Sequence, residues 1–538
     1  MFKFNYRQGR ALSEHADLHI LPLITISTTA KSKKTADAML DAASRGEFNA
    51  WDKNYSKQLS AKIKSAGWVP GEAKRLDITV VLNARKSKPE NQTQLIRLSA
   101  LSQKSKTEAG INEWRRLGGD AAQTARNLRA KRVVVNLESA PNKFFPEILQ
   151  AIYEGAILGT YSYDRYKRLN LANGSDASCP REIVLIGSER ASAKTSAALK
   201  KAKIVAGAVC LARDLVTSPP SDLLPVDLVN VARQLRKRKP ARLSLKIYNR
   251  RALKRIKANA LLAVSRGSSS EPFMLHMTYK PFRRNRGKKR LVFVGKGITF
   301  DSGGLSIKSG KGMEEMKCDM AGAACVLSIA KALSEMDAKI APQHEVHFIV
   351  PTCENMINGA AVKPGDIVFA ANGKSIEILN TDAEGRLILA DALSYTKQLD
   401  ADVIIDLATL TGACVVALGN DYAGLFANKS QLQQALIQEG SRSGELLWSM
   451  PLAKEYRGMI NSPIANLKNI GNGGPGAIIG AIFLQEFVPE NVPWAHLDIA
   501  GPAFVSLNNE YIRQGGTGFG VRTLLRFLDS VEKLDLRA

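Results

Sequence analysis

Asn380-Thr381-Asp382-Ala383-Glu384-Gly385-Arg386 places two carboxylates two residues apart and an arginine two residues further on. Asp382 and Glu384 would point the same way if the backbone here is extended, because side chains then repeat with a period of two. Two converging carboxylates repel each other unless a cation lies between them. The motif therefore indicates a metal site. The alternative is a turn that leads into a helix N-terminus, where acidic residues are also favoured.

A second segment, upstream, supplies the other groups that a metal site needs. It runs Gly295-Lys296-Gly297-Ile298-Thr299-Phe300-Asp301-Ser302-Gly303-Gly304 and is followed by Lys308 and by Lys317-Cys318-Asp319-Met320. A hydrolytic site with two metal ions needs hard oxygen ligands, at least one of them bridging, and an open position for water and substrate. The two segments together offer one lysine and four carboxylates: Lys296, Asp301, Asp319, Asp382 and Glu384.

Both segments resemble the signatures of the M17 leucyl aminopeptidases, the cytosol aminopeptidase family of dizinc exopeptidases. The resemblance runs from about Thr217-Ser218-Pro219-Pro220 to about Phe527, and the N-terminal part matches only loosely. It implies a leucyl aminopeptidase, a metallo-exopeptidase that hydrolyses the N-terminal peptide bond of short peptides and prefers Leu-like residues there. The free amine of the substrate would bind one metal, so internal peptide bonds would not be cleaved.

The resemblance also assigns the ligands of two divalent metal ions per subunit. Asp301 and Glu384 would bridge the two ions, Lys296 and Asp319 would complete the tighter site, and Asp382 would complete the more exchangeable one. Lysine is a rare ligand because its amine must be neutral to bind, and a nearby dication makes that feasible. Zn²⁺ or Mn²⁺ is expected, with Mg²⁺ and Co²⁺ as alternatives.

Two further residues match the catalytic groups of the family. Lys308 corresponds to a lysine that contacts the scissile carbonyl oxygen as negative charge develops there. Arg386 corresponds to an arginine that holds a bicarbonate ion, which would relay the proton as a general base. Substrate contacts are implied at six positions, of which the methionine lines the pocket for the N-terminal side chain: Met316, Asn380, Thr409, Leu410, Gly412 and Ala500.

The charge of the chain is unevenly distributed. Its formal net charge is +26, of which the first 300 residues carry +34 and the remainder −8. The segment 233–257 holds twelve basic residues and no acidic one, and a second cluster lies at Arg283, Arg284, Arg286, Lys288, Lys289 and Arg290. Such asymmetry indicates an anionic partner such as nucleic acid, or else a solvated basic surface. A DNA-binding or regulatory protein on the same fold is therefore the alternative function, alone or beside peptidase activity, since some bacterial members of the family bind DNA.

Cysteine usage points to a reducing compartment. The six cysteines form no Cys-x-x-Cys pair, which argues against a disulfide framework or a zinc ribbon and favours buried thiols. We expect a cytoplasmic location, with a mitochondrial or other organelle matrix as the alternative because Met1–Arg10 is basic. No apolar run approaches the roughly 18 to 20 residues of a membrane span.

Strand-like and helix-like runs alternate along the chain, which predicts an α/β protein. We expect a smaller N-terminal α/β domain over residues 1–190 and a catalytic α/β domain over 191–538, with a mixed central sheet flanked by helices. The basic N-terminal domain would make oligomer or partner contacts. The resemblance implies a homohexamer, a dimer of trimers.

Three local expectations complete the interpretation. The run from Val403 to Gly419 is predicted to be a buried strand followed by a loop. His344, His347 and His496 are predicted to be structural. Lys257-Ala258-Asn259-Ala260 stands where family members carry a glycine-rich turn, and Asn259 would supply the left-handed residue there.

Overall fold

The computed structural model describes residues 3–8, 16–24, 42–54, 57–66, 75–82, 92–167, 180–187, 189–239, 241–282 and 288–534. The chain divides into two compact units. The first comprises Met1–Ala206 and Asn508–Arg513, and the second comprises Gly207–Leu507 and Gln514–Ala538. Arg283, Arg284 and Arg286 of the second basic cluster lie outside the described residues.

The first unit contains a mixed sheet and its helices. Its elements are β1 Lys3–Gln8, β2 Leu18–Ile24, α1 Ala42–Asn54, α2 Gln58–Ala66, β3 Arg75–Leu82, β4 Gln92–Leu101, α3 Ile111–Asn127, β5 Arg132–Asn136, α4 Phe145–Gly159 and β6 Glu182–Gly187. The strand order is β1-β6-β5-β2-β4-β3, and only β3 runs antiparallel to its neighbour. The apolar strands β5 and β6 are buried, as parallel strands covered on both faces usually are.

Helix α3 contains Gly118 and Gly119, although glycine lowers helix propensity. These glycines serve close packing of α3 on α4. A β-carbon at Gly118 would lie 2.1 Å from the Ile152 carbonyl oxygen.

The second unit contains the larger sheet. Its elements are α5 Ala193–Thr217, which starts in the first unit, α6 Pro225–Arg238, β7 Leu243–Tyr248, α7 Arg250–Arg255, α8 Asn259–Val264, β8 Phe273–Tyr279, β9 Arg290–Gly295, β10 Gly297–Asp301, α9 Ala321–Glu335, β11 Glu345–Asn355, β12 Asp366–Phe369, β13 Ser375–Ile378, α10 Gly385–Tyr395, β14 Val403–Ala408, α11 Gly412–Leu418, β15 Tyr422–Ala427, α12 Ser430–Ser443, β16 Leu446–Ser449, β17 Leu467–Lys468, α13 Gly476–Gln485, β18 Trp494–Asp498, β19 Phe504–Val505, β20 Gly515–Gly516 and α14 Val521–Ser530.

The nine-stranded sheet has the order β16-β15-β18-β14-β9-β11-β8-β7, with β10 paired to β11. Strands β18, β14, β9 and β11 are parallel. The pairs β11–β8, β8–β7 and β18–β15 are antiparallel, and β16 is parallel to β15. The sheet is mixed and flanked by helices, which confirms the predicted α/β class. Helices α9 and α10 are buried along nearly their whole lengths.

The carboxyl ends of the central strands carry polar residues. Asp301 ends β10, Asn355 ends β11, Thr409 follows β14 and Asp498 ends β18. Open α/β sheets bind ligands at this edge. The sheet therefore brings together residues that are far apart in sequence.

Two local expectations were wrong. The residues after β14 are not all loop, because α11 begins at Gly412 and the Thr411 side chain caps it by accepting a hydrogen bond from the Cys414 N–H, at 3.1 Å. In the glycine-poor turn, the left-handed residue is Lys257, with φ of 57°, and Asn259 instead begins α8.

None of the helices in the described ranges combines the length and the apolar character that crossing a membrane requires.

Candidate metal centre

Three buried carboxylates converge at the carboxyl edge of the central strands. Asp301 is the last residue of β10, Asp319 precedes α9, and Glu384 immediately precedes α10. One oxygen of each lies within 4.8 Å of the others. All three side chains are buried, so their negative charges are poorly solvated and need a positive partner.

Lys296 supplies part of that positive charge. It lies between β9 and β10, and its Nζ is 2.8 Å from Asp319 Oδ1 and 2.9 Å from Glu384 Oε1. Burial disfavours the ammonium, but the two carboxylates outweigh burial and raise the pKa of Lys296. The lysine is therefore charged in the metal-free protein. It would have to lose a proton in order to bind a metal.

The donor set leaves room for a further cation. Asp319 Oδ2 and Glu384 Oε2 are buried and have no hydrogen-bond partner among the described residues. Burial and the neighbouring carboxylates raise the pKa of both Asp319 and Glu384, even though Lys296 lowers it. Buried carboxylate oxygens without donors are costly unless a metal or a proton binds them. Hard oxygen donors suit a divalent metal ion, so these residues fit one.

Asp382 joins this cluster through Lys308. The Lys308 Nζ is 2.8 Å from Asp301 Oδ2 and also contacts Asp382 Oδ1. The backbone around Asp382 is not extended, because Asp382 lies in a turn and Glu384 has helical dihedrals, φ −76° and ψ −36°. The sequence expectation of a locally extended motif was wrong. The alternative, a turn that leads into a helix, is what the structure has, and Glu384 belongs to the carboxylate cluster all the same.

Arg386 is buried in the first turn of α10. One guanidinium nitrogen donates to the Asn469 carbonyl oxygen at 2.7 Å, and the guanidinium carbon lies 6.0 Å from the Phe483 ring centroid. Its Nε has no partner among the described residues. Burial lowers the pKa of Arg386 to about 10, against the opposing effect of Glu384 and Asp498. The side chain is therefore a buried cation with a free donor at neutral pH.

The residues implied in substrate binding lie on two neighbouring loops. The Thr409 carbonyl accepts from Lys296 Nζ, and the Thr409 hydroxyl donates to Asp319 Oδ1, both at 2.8 Å. The Leu410 and Ala500 N–H groups both donate to Asp498 Oδ1 at 3.2 Å. Gly412 follows, exposed, at the start of α11. Asp498 thus holds both loops beside the cluster.

The other two implied substrate residues sit next to predicted ligands in the chain. Asn380 Oδ1 accepts the Asp382 N–H at 2.8 Å. The Met316 carbonyl accepts the Asp319 N–H at 3.3 Å, and the Met316 side chain is half-buried.

Sequence reasoning missed Asn355, Asn469 and Asp498, which hold the site together from outside the motifs. Asn355 and Asp498 end the apolar strands β11 and β18, so a polar residue after an apolar run was the available signal. The histidines are taken up by core contacts: His347 Nδ1 lies 2.8 Å from His276 Nε2, and His496 Nδ1 lies 2.6 Å from Asp406 Oδ1.

Comparison with known proteins identifies relatives over most of the chain. The sequence model of the cytosol aminopeptidase family, catalytic domain, matches residues 210–525, and that of the family's N-terminal domain matches residues 104–170. A probable cytosol aminopeptidase of Thermosynechococcus vestitus is 42% identical over 433 residues, which cover 79% of this chain and 83% of the relative. One of Persephonella marina is 40% identical over 427 residues, with 79% and 83% covered.

Solved structures show the same architecture. A mutant of tomato leucine aminopeptidase superimposes with a TM-score of 0.82 at 32% identity, covering 98% of this chain and 96% of that one. The bottromycin maturation enzyme BotP in complex with Mn superimposes with a TM-score of 0.76 at 30% identity, covering 96% of this chain and all of that one.

Proposed function

Because the chain belongs to the cytosol aminopeptidase family and is therefore a metal-dependent aminopeptidase, we propose that it removes Leu-like residues from the N-terminus of short peptides. The observation that carries this proposal is the buried cluster of Asp301, Asp319 and Glu384 with oxygens that lack hydrogen-bond donors. Such a cluster needs bound cations, and two divalent ions on one hydrolytic site are a known solution.

The residues that would hold the ions are those of the cluster and its neighbours. Asp301 and Glu384 would bridge, Lys296 and Asp319 would complete one site, and Asp382 the other. We propose Zn²⁺ or Mn²⁺ at both sites. When bound, a metal pair lowers the pKa of a shared water and polarises the scissile carbonyl.

Lys308 would stabilise the charge that develops on the carbonyl oxygen. Burial opposes its charged form, but Asp301 and Asp382 outweigh burial and raise the pKa of Lys308. The side chain is 23% exposed, so a substrate can reach the ammonium. A metal ion held by Asp301 and Asp382 would compete with Lys308 for their oxygens. The N–H donors of Lys308 would then be available to the substrate.

Arg386 would hold an anion, which we propose to be bicarbonate. The buried guanidinium retains an unpartnered Nε–H among the described residues, and a planar guanidinium matches a planar trigonal anion. A bicarbonate held by Arg386 would supply a general base to the site.

Substrate selection would rest on Met316, Asn380, Thr409, Leu410, Gly412 and Ala500. The half-buried side chains of Met316, Leu410 and Ala500 are apolar, and an apolar wall suits Leu or Met better than a charged residue. A free N-terminal amine would be required, because it would complete the coordination of one metal.

These specificity claims can be tested with aminoacyl p-nitroanilides. Leucyl and methionyl substrates should have the highest kcat/KM, and a glutamyl substrate a much lower one. N-acetyl-leucyl p-nitroanilide, which has the same side chain but no free amine, should not be cleaved. Cleavage of the acetylated substrate would contradict an exopeptidase.

The domain boundary and the assembly are part of the same proposal. We place an N-terminal domain at residues 1–190 and the catalytic domain at 191–538, supported by the two family matches on either side of that boundary. We propose a cytoplasmic homohexamer, a dimer of trimers. Light scattering of the purified protein measures the subunit number.

Nucleic-acid binding is a second candidate, favoured by one surface. Exposed basic residues follow one another over α6, the edge strand β7 and α7, and no acidic residue interrupts them in sequence: Arg233, Arg236, Lys237, Arg238, Lys239, Lys246, Arg251, Lys254, Arg255 and Lys257. Such a surface would bind a phosphate backbone through counterion release. Anisotropy of labelled duplex DNA should then show affinity that falls steeply with salt, and no binding at physiological salt would exclude this function.

A further inference from the structure

Asn355 connects three segments of the metal centre. It is the last residue of β11 and is 1% exposed. Its Nδ2 donates to Asp301 Oδ1 at 2.8 Å and to the Thr381 carbonyl oxygen at 3.0 Å. Its own carbonyl accepts from the Ser302 N–H and hydroxyl. One buried side chain thus contacts a predicted bridging ligand and the turn that carries Asp382.

The hydrogen bonds to Asp301 fix the orientation of its carboxylate. Oδ1 accepts from Asn355 Nδ2 and from the Gly303 N–H, at 2.8 and 3.0 Å. Oδ2 is the oxygen that faces the Lys308 ammonium. Two donors on one oxygen hold the plane of the carboxylate, because rotation out of that plane would lengthen both hydrogen bonds.

Thr381 extends this arrangement to the loop that carries Lys308. Its hydroxyl donates to the Gly303 carbonyl at 2.7 Å and accepts from the Ser306 N–H at 2.8 Å. Its own N–H donates to the Ser306 hydroxyl oxygen at 3.1 Å. Since the Thr381 carbonyl is bound by Asn355, the loop and the turn are both anchored to the end of β11.

We propose that Asn355 is a positioning residue that sets the rotation of the Asp301 carboxylate and the place of the Asp382 turn for metal binding. The inference rests on the proposed two-metal function. Groups that hydrogen bond to metal ligands typically raise metal affinity by about 10- to 100-fold, and Asn355 acts on two predicted ligands at once.

A second buried asparagine separates this role from simple support of the turn. Asn469 is fully buried and holds the same turn from its other side. Its Nδ2 donates to the Asn380 carbonyl, at 2.6 Å, and its Oδ1 accepts the Leu379 N–H, at 2.9 Å. These partners are backbone groups, whereas Asn355 contacts a carboxylate. Asn469 is therefore a matched control.

The test is metal affinity of the metal-free, full-length protein, measured for Zn²⁺ by competition with a chromogenic chelator. Asn355→Ala should weaken the tighter site by about 10- to 100-fold. Asn469→Ala should lower the unfolding temperature of the metal-free protein and weaken that site much less than Asn355→Ala does, because the Asn469 side chain donates to no predicted ligand. Unchanged affinity in N355A, or an equal loss in N469A, would overturn the proposal.

Two further measurements keep the outcome interpretable. If N355A does not fold by circular dichroism, Asn355→Ser is measured instead. Its shorter side chain has one donor and cannot reach both acceptors, so affinity should still fall, and full affinity in N355S would overturn the proposal. Absence of Zn²⁺ binding by the unmodified protein would contradict the proposed function itself, which is a different result from loss in the variant alone.

Discussion

Gly385 lies directly against the side chain of Lys296: a β-carbon at position 385 would come within 2.5 Å of the lysine Nζ and Cε. Gly385 is the first residue of α10, so the Lys296 side chain packs against the start of this helix. The glycine of the Asp382-Ala383-Glu384-Gly385-Arg386 motif thus has a steric reason. Any side chain at this position would push Lys296 away from Asp319 and Glu384.

Gly385→Ala should therefore lower metal affinity and activity strongly and change the free energy of unfolding little. Alanine favours a helix by up to about 1 kcal/mol over glycine, which offsets part of the steric cost. We expect weaker metal binding in calorimetric titration and a fall in kcat/KM of about 100-fold or more, as for a catalytic group moved by an ångström. Gly458→Ala is the matched control, because no atom lies within 4 Å of its added β-carbon, and normal activity in G385A would refute the steric argument.

Removing the guanidinium of Arg386 should abolish a dependence on bicarbonate. In buffer freed of carbon dioxide, the unmodified protein should regain activity when bicarbonate is added, whereas equal concentrations of chloride should have no effect. Arg386→Met should be slower by about 100-fold, the usual scale of general-base catalysis, and should not respond to bicarbonate. The same response to bicarbonate in both proteins would show that the anion acts elsewhere.

Lys257→Gly should stabilise the protein. Lys257 has φ of 57° at the end of α7, where the Ala258 N–H bonds back to the Leu253 carbonyl. A left-handed conformation costs a non-glycine residue about 1 to 2 kcal/mol, and glycine adopts it freely. Allowing for the greater flexibility of glycine in the unfolded chain, we expect a gain of about 0.5 to 1 kcal/mol in urea denaturation. Lys257→Ala keeps the strain and should show no such gain.

The buried pair His276 and His347 should make the protein sensitive to acid. Burial, the neighbouring His347 and Lys246 lower the pKa of His276 to about 3, and burial also lowers the pKa of His347 although Glu345 opposes it. As pH falls below the ordinary histidine value of about 6.5, the unfolded chain takes up protons first, so stability is lost on acidification.

His276→Gln should reduce this loss, since glutamine does not titrate. Between pH 7 and pH 5 the free energy of unfolding should fall by about 2 kcal/mol less in the variant than in the unmodified protein. Urea denaturation at the two pH values measures the difference. Equal losses in both proteins would mean that His276 is already protonated in the folded state at pH 5.

Sequence patterns were sufficient for the fold class and for the buried strand β14, because a run of apolar residues reports burial. The two motifs, through the family that they resemble, also pointed to Lys296, Asp301 and Glu384, which the structure brings close together. They left the turn at Asp382 open as the alternative to an extended segment, because a period of two fits two acids in sequence whether or not the backbone is extended.

The supporting contacts could not be read from the sequence. Many polar residues end apolar strands, so the position of Asn355 in the sequence does not reveal its role. Only the pairing of β10 with β11 puts Asn355 beside Asp301. The glycines of α3 weaken a helix locally, and only its packing on α4 shows that a close contact requires them. Both are tertiary effects that override local preference.

The central claim, that this chain is an aminopeptidase working with two bound metal ions, is tested most directly by removing and restoring them. The purified protein is treated with a chelator, then titrated with Zn²⁺ or Mn²⁺ while metal content and hydrolysis of leucyl p-nitroanilide are followed together. Activity should vanish on chelation and return as two ions bind per chain, and Asp319→Asn should bind fewer and remain inactive. Hydrolysis that persists in the metal-free protein, or full activity with one ion per chain, would contradict the account.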